Sequence, residues 1–121
     1  MYSTKKKENK RESKKQNKKK IVILEKSKKP DKRFKVTMKG FPGMNDHSHE
    51  FGAKGGRTFI DCRTEKEKKA WEARHKNDKG YNSIHSGIFY SKNLLWGDTK
   101  SLKKNIKLLE KRLDADIIDR T

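Results

Sequence analysis

The sequence predicts an α+β fold: a small antiparallel sheet followed by about three helices, preceded by a basic N-terminal arm that is disordered or ordered only by a partner. Three observations predict it. Phe34, Val36 and Met38 alternate with Lys35, Thr37 and Lys39, the period of two that sends apolar side chains to one face of a strand. Leu102, Ile106, Leu109 and Leu113 recur at spacings of four, three and four, which makes one stripe of an amphipathic helix. The first twenty residues carry ten lysines and arginines against two acids, so they have almost nothing to bury and cannot recover the entropy lost on folding. The chain therefore divides into an arm (1–20), a small α+β domain (21–113) and an acidic C-terminal tail (114–121).

Taken in order, Ile21–Leu24 is a β-branched apolar run and reads as a short buried strand. Pro30-Asp31 is a turn signal, so this run and the Phe34–Met38 strand form a β-hairpin. Gly40-Phe41-Pro42-Gly43 opens a loop expected to continue through Ser48. Phe51 begins FGAKGG, whose glycines suggest a tight turn, and Thr58-Phe59-Ile60 resumes strand character. Thr64 to Glu67 matches a capping box, and a helix is expected over 65–76, lying on the sheet through Trp71. Asn77–Asn82 is a polar turn. Ile84, Ile88 and Leu95, flanked by Phe89 and Leu94, give a helical stripe ending at Trp96-Gly97. Gly87 within it marks close packing or irregularity. The last helix follows a cap at Asp98 or Thr99.

Composition bounds what such a domain can do. Of 121 residues, 29% are hydrophobic and 41% charged, so the core must be thin, and support from a partner fits that composition. Cys62 is the single cysteine, which excludes an intramolecular disulfide and fits a reducing compartment. The N-terminus lacks the apolar run of a signal peptide, and no stretch approaches the roughly twenty apolar residues that cross a bilayer. A soluble protein made inside the cell is expected.

Net charge is +18, of which the arm supplies +8. Such an excess suits a polyanion, above all nucleic acid. The candidate contacts are Lys5, Lys6, Lys7, Lys10, Arg11, Lys14, Lys15, Lys18, Lys19 and Lys20 of the arm, with Lys100, Lys103, Lys104, Lys107 and Lys111 around the last helix. In the arm lysine outnumbers arginine nine to one; lysine acts as a point charge, which favours sequence-independent phosphate neutralisation over base readout. A solubilising tail or a contact with acidic protein is the plainer reading of the arm, and a solvated face is the plainer reading of the helix. Arg74 can contact an anion, or bond Asp61 or Asp78 to lock its helix. Phe34, Phe51, Phe59, Trp71, Phe89 and Trp96 could stack on bases, but a small core needs nearly all of them.

Other chemistry is weaker. Asp46-His47-Ser48-His49-Glu50 invites a metal, with His75, His85 or Cys62 to complete it, and on a strand His47 and His49 would face one side. The spacing is not that of structural zinc, so a surface loop is expected and neither a metal nor a cofactor is assigned. Cys62 with His75 or His85, or Ser86, lacks a strained turn, an oxyanion hole and a paired acid, and FGAKGG lacks the Gly-Lys-Ser/Thr ending of a phosphate loop. No enzyme is expected.

The segment from about Phe51 to Leu113 carries Phe51-Gly52-Ala53-Lys54-Gly55, Arg74-His75, Ser86-Gly87, Ser91, Leu94-Leu95-Trp96 and the Leu102/Ile106 helix. In that order these blocks resemble a small uncharacterised family of basic proteins encoded by nucleocytoplasmic large DNA viruses. Arg57-Thr58 stands where the family pattern has an acidic residue, and Asn77–Tyr81 lacks an acidic-aromatic pair. The resemblance implies a viral protein, made in the host cytoplasm or viral factory, with a place in the virion. With the charge, it leads to a non-enzymatic structural protein that binds packaged DNA or acidic virion proteins through its arm. Two alternatives stand beside it. One is a minor capsid or cement protein whose arm threads between subunits without meeting DNA; the other is a ribosome- or transcription-associated nucleic-acid-binding factor.

Overall fold

The structure, a computed structural model, describes residues 20–121. The arm lies outside them, apart from Lys20. A mixed four-stranded sheet is covered on one face by helices, and the α+β architecture is as expected. Strands β1 (Ile21–Lys26), β2 (Lys32–Lys39), β3 (His47–Ala53) and β4 (Asp116–Asp119) lie in the order β3-β2-β1-β4. β1 and β2 form the expected hairpin, pairing antiparallel from Ile21↔Lys39 to Lys26↔Phe34. β3 adds antiparallel to β2, from Lys32↔Ala53 to Met38↔His47.

Two readings are corrected at the sheet edges. Residues expected to form an acidic tail instead supply β4, which pairs parallel to β1 from Ile21↔Asp116 to Leu24↔Asp119, so the sheet is not wholly antiparallel. Ile117 is buried beside Val22, and that burial offsets the unfavourable strand chemistry of the flanking aspartates. The expected loop through Ser48 ends earlier, because His47 already opens β3.

The register fixes which side chains meet. Ile117, Val22, Met38 and His47 form one row across the inner face, Leu24, Val36 and His49 a second, and Phe34 and Phe51 a third. Val22, Leu24 and Val36 are fully buried, each contributing about 1.5–3 kcal/mol by leaving water.

Helix α1 (Glu65–His75) starts at the predicted capping box: Thr64 Oγ accepts from the Glu67 amide, and Glu67 accepts from the Thr64 amide. Trp71 is its one buried residue. It stacks on Trp96 with ring centroids 5.4 Å apart, so α1 is anchored on Trp96 and the neighbouring Phe59–Asp61 turn rather than on the sheet. That turn is a short 3₁₀ helix, where a strand was expected. Asp61 folds it by accepting from the Thr58 amide and hydroxyl while Arg33 holds the same carboxylate at 2.6 and 3.0 Å.

The segment expected as one helix over 84–96 is shorter and irregular. α2 (Gly87–Tyr90) runs into a π-helical turn, Ser91–Leu95, closed by Trp96 N–H to Ser91 C=O at 2.9 Å. Asn93, Leu94, Leu95, Trp96 and Gly97 are consecutive and all buried. Five successive residues can all be buried because the segment is enclosed on several sides, by α2, by α3 and by β3. α3 (Leu102–Leu113) keeps the predicted stripe, with Ile106, Leu109 and Leu113 buried. Its cap is Ser101, whose hydroxyl accepts from the Lys104 amide, rather than Asp98 or Thr99.

Candidate polyanion interface

Lys5 to Lys19 lie outside the described residues. Lys20, grouped with them from sequence, is half-buried, and its ammonium donates to the Leu113 carbonyl at 2.8 Å. It closes the junction between β1 and α3.

The lysines of α3 fall into two groups. Lys107 and Lys111 line a groove of about 1340 Å³ together with Glu110, Asp114, Asp116 and Asp46. This end is mixed in charge, and Lys107 approaches Glu110 at 3.9 Å. Lys100, Lys103 and Lys104 lie at the other end and are exposed, and the first turn of α3 contains no acid. The lysine-rich face expected along the whole helix is therefore concentrated at its start.

Sequence reading passed over the lysines of α1. Lys66, Lys69, Arg74 and Lys76 are exposed along it. Lys68 brings α1 to the start of α3: its Nζ stands 4.9 Å from the Phe59 ring centroid, and Lys100 Nζ stands 5.2 Å from the same ring. The signal available in the sequence was the poverty of α1 in apolar residues, which leaves most of its surface to water.

Arg74 bonds neither acid proposed for it. Arg33 holds Asp61, keeping that carboxyl at about 2, and His75 holds Asp78 at 2.7 Å. Arg74 is exposed and makes no ion pair among the described residues. Of the aromatics, Phe34, Phe51, Phe59, Trp71 and Trp96 are buried, as a small core demands, and Phe89 is half-buried.

The blocks Phe51-Gly52-Ala53, Gly87, Ser91 and Leu95-Trp96 come together around one cleft of about 590 Å³, with Arg57 and Lys32 also lining it. Gly52 turns the end of β3 with φ +78°, and a Cβ there would stand 2.8 Å from Leu95 Cδ1. Gly87 lets α2 approach β3, since a Cβ would stand 2.6 Å from the Glu50 carbonyl oxygen. These residues are explained by close packing.

The histidines are placed differently from a surface loop. His47 and His49 share the inner face of β3, and His85 stacks on His47, with centroids 4.9 and 5.2 Å apart along the series His49–His47–His85. Both ring nitrogens of His47 and Nε2 of His49 are buried without a hydrogen-bond partner in the described structure. Burial and the neighbouring His47 and His85 rings lower the pKa of His49. Among the described residues no three histidines, cysteines or acids are arranged to hold a metal ion. His75 stacks on Trp71 at 4.6 Å, and Cys62 is exposed at a left-handed turn with φ 74°. No helix among these residues is long and apolar enough to cross a membrane.

No family model matches the chain, and neither a curated protein nor a solved structure shows a significant likeness to it.

Proposed function

We propose that this chain is a non-enzymatic basic structural protein of a large DNA virus particle that binds nucleic acid without reading its sequence. The observation that carries the reading is charge and its placement. Ten cations precede residue 21, and on the body half-buried Lys68 of α1 and exposed Lys100 before α3 meet at Phe59. Phosphate neutralisation by lysine releases counterions, needs no base contact and draws its affinity from the number of cations engaged. The viral setting rests on the likeness carried by Phe51–Gly55, Arg74-His75, Ser86-Gly87 and Leu94–Trp96. The folded body fixes where the arm emerges, because Lys20 is pinned between β1 and α3.

The test is a salt titration of binding to a random-sequence duplex, with the full chain and with a chain lacking residues 1–17. Binding that weakens steeply with salt, and a log–log slope that drops by several units on truncation, is the expected result. Weak binding at physiological salt that is the same with and without the arm overturns the nucleic-acid reading and assigns the arm to acidic protein neighbours, as in a capsid or cement protein.

A further inference from the structure

We infer that Lys68 and Lys100 form a phosphate clamp on the folded body, built over the Phe59 ring and engaging the backbone of a nucleic acid that the arm has already drawn in. This deepens the nucleic-acid reading and rests on it.

The fold gathers like charges at Phe59. Lys68 comes from α1 and Lys100 from the segment before α3, yet both ammoniums stand over one buried ring, at 4.9 and 5.2 Å from its centroid. They are therefore no more than about 10 Å apart. Two like charges brought this close repel unless an anion intervenes.

Three acids near the pair in sequence are already committed to arginines. Asp61 is held by Arg33, Glu67 by Arg63 and Asp98 by Arg112, at 2.6, 2.6 and 2.9 Å. Glu65 and Glu72, the other acids of α1, make no ion pair among the described residues, and neither do Lys68 and Lys100. Lys103 and Lys104 in the first turn of α3 follow Lys100 with further positive charge, against the preference of a helix N-terminus for acids.

The frame beneath is rigid. Trp71 of α1 stacks on Trp96 with planes only 14° apart, and both rings are buried. That contact ties α1, which carries Lys68, to Trp96, which precedes the segment carrying Lys100. Phe59 gives the ammoniums an electron-rich face, which orients the stems while leaving their N–H groups free to donate outward. Phosphodiesters are the matching ligands: each is singly charged and can accept from one ammonium, and they repeat along a strand, so that the pair engages two of them. Lysine suits this role because its charge is compact and carries no base specificity.

The test compares the full chain with a Lys68→Met/Lys100→Met variant, which keeps the apolar stems over Phe59 and removes only the charge. A Lys28→Met/Lys29→Met variant serves as control, taking the same charge from the exposed β1–β2 turn. Duplex binding is followed from low to high salt. The clamp variant should lose about two units of log–log slope, near 0.9 per phosphate contact on B-DNA, and about tenfold in affinity beyond the control. In the unaltered chain, the Phe59 ring resonances should shift on adding a short duplex. If the clamp variant loses no more than the control, or if Phe59 stays unmoved while the wild-type chain binds, the clamp is overturned and the general nucleic-acid reading survives. If the wild-type chain does not bind duplex at all, both fall.

Discussion

His49 sits on the inner face of β3 opposite Val36, with the Tyr90 ring 6.4 Å away and the His47 ring 4.9 Å away. A protonated ring there would lose hydration and face His47 and His85, which is why its pKa lies below the ordinary value. The folded state holds the proton less tightly than the unfolded chain, so the stabilisation is fully present above the ordinary histidine pKa of about 6.5 and is lost as pH falls through the lowered folded value. Thermal unfolding followed by circular dichroism should give a lower Tm at pH 5.5 than at pH 7.5, and His49→Phe should shrink that difference; an unchanged difference in the variant would show that the loss arises elsewhere. Gly87 makes a second prediction at this scale. Its missing Cβ would come within 2.6 Å of the Glu50 carbonyl oxygen, backbone that cannot swing aside. Gly87→Ala should cost about 1–3 kcal/mol in urea unfolding, and a neutral result would show that α2 can shift away from β3.

At the scale of elements, the π turn and α3 stabilise each other through Asn105. It is 1% exposed; its Nδ2 donates to the Leu94 and Thr99 carbonyls at 3.0 and 2.9 Å, and its Oδ1 accepts from the Thr99 amide and hydroxyl at 3.0 and 2.8 Å. These bonds satisfy backbone that the π turn and the following loop leave open. Asn105→Ala strands those groups in a dry site and should cost about 3 kcal/mol, read as a fall in the denaturation midpoint with little change in slope; a loss below about 1 kcal/mol would show that water replaces the side chain. Legibility divides along the same lines. α3 could be read because Leu102, Ile106, Leu109 and Leu113 keep one period, and α1 because Thr64 and Glu67 announce its start. The π turn could not, since it answers a demand of the core that lies outside its own sequence. β4 was hidden because only Ile117 and Ile118 separate acids that argue for solvent. Thr58-Phe59-Ile60 misled because strand-forming residues were bent by Asp61, whose partner Arg33 is 28 positions away. His47 and His49 had the spacing of a strand face, but their polarity pointed to a loop. The cationic patch was half legible: Lys100, Lys103 and Lys104 stood out, whereas Lys68 acquires its meaning only when Trp71 stacks on Trp96.

Across the whole molecule, residues 21–121 carry 24 basic and 14 acidic side chains. The excess repels itself in the compact state and attracts polyanions from outside. Salt screens both effects, so the two should respond in opposite directions. Raising sodium chloride from 50 to 500 mM should raise the Tm of the free protein by a few degrees while it weakens duplex binding, with calorimetry and fluorescence anisotropy as the respective readouts. A Tm that falls with salt would mean that the native ion pairs, among them Arg33–Asp61 and Arg112–Asp98, outweigh the general repulsion.

The parallel pairing of β1 with β4 also sets an order of events during synthesis. The Asp116 amide donates to the Lys20 carbonyl and the Arg120 amide to Leu24, so the sheet joins residues nearly a hundred positions apart. Contacts of such separation close late and slowly. While the ribosome is still making the later helices, β1 and β2 can already pair, but β1 keeps one open edge until residues 116–119 emerge. The ten cations ahead of β1 are translated before it, and so before the sheet has closed.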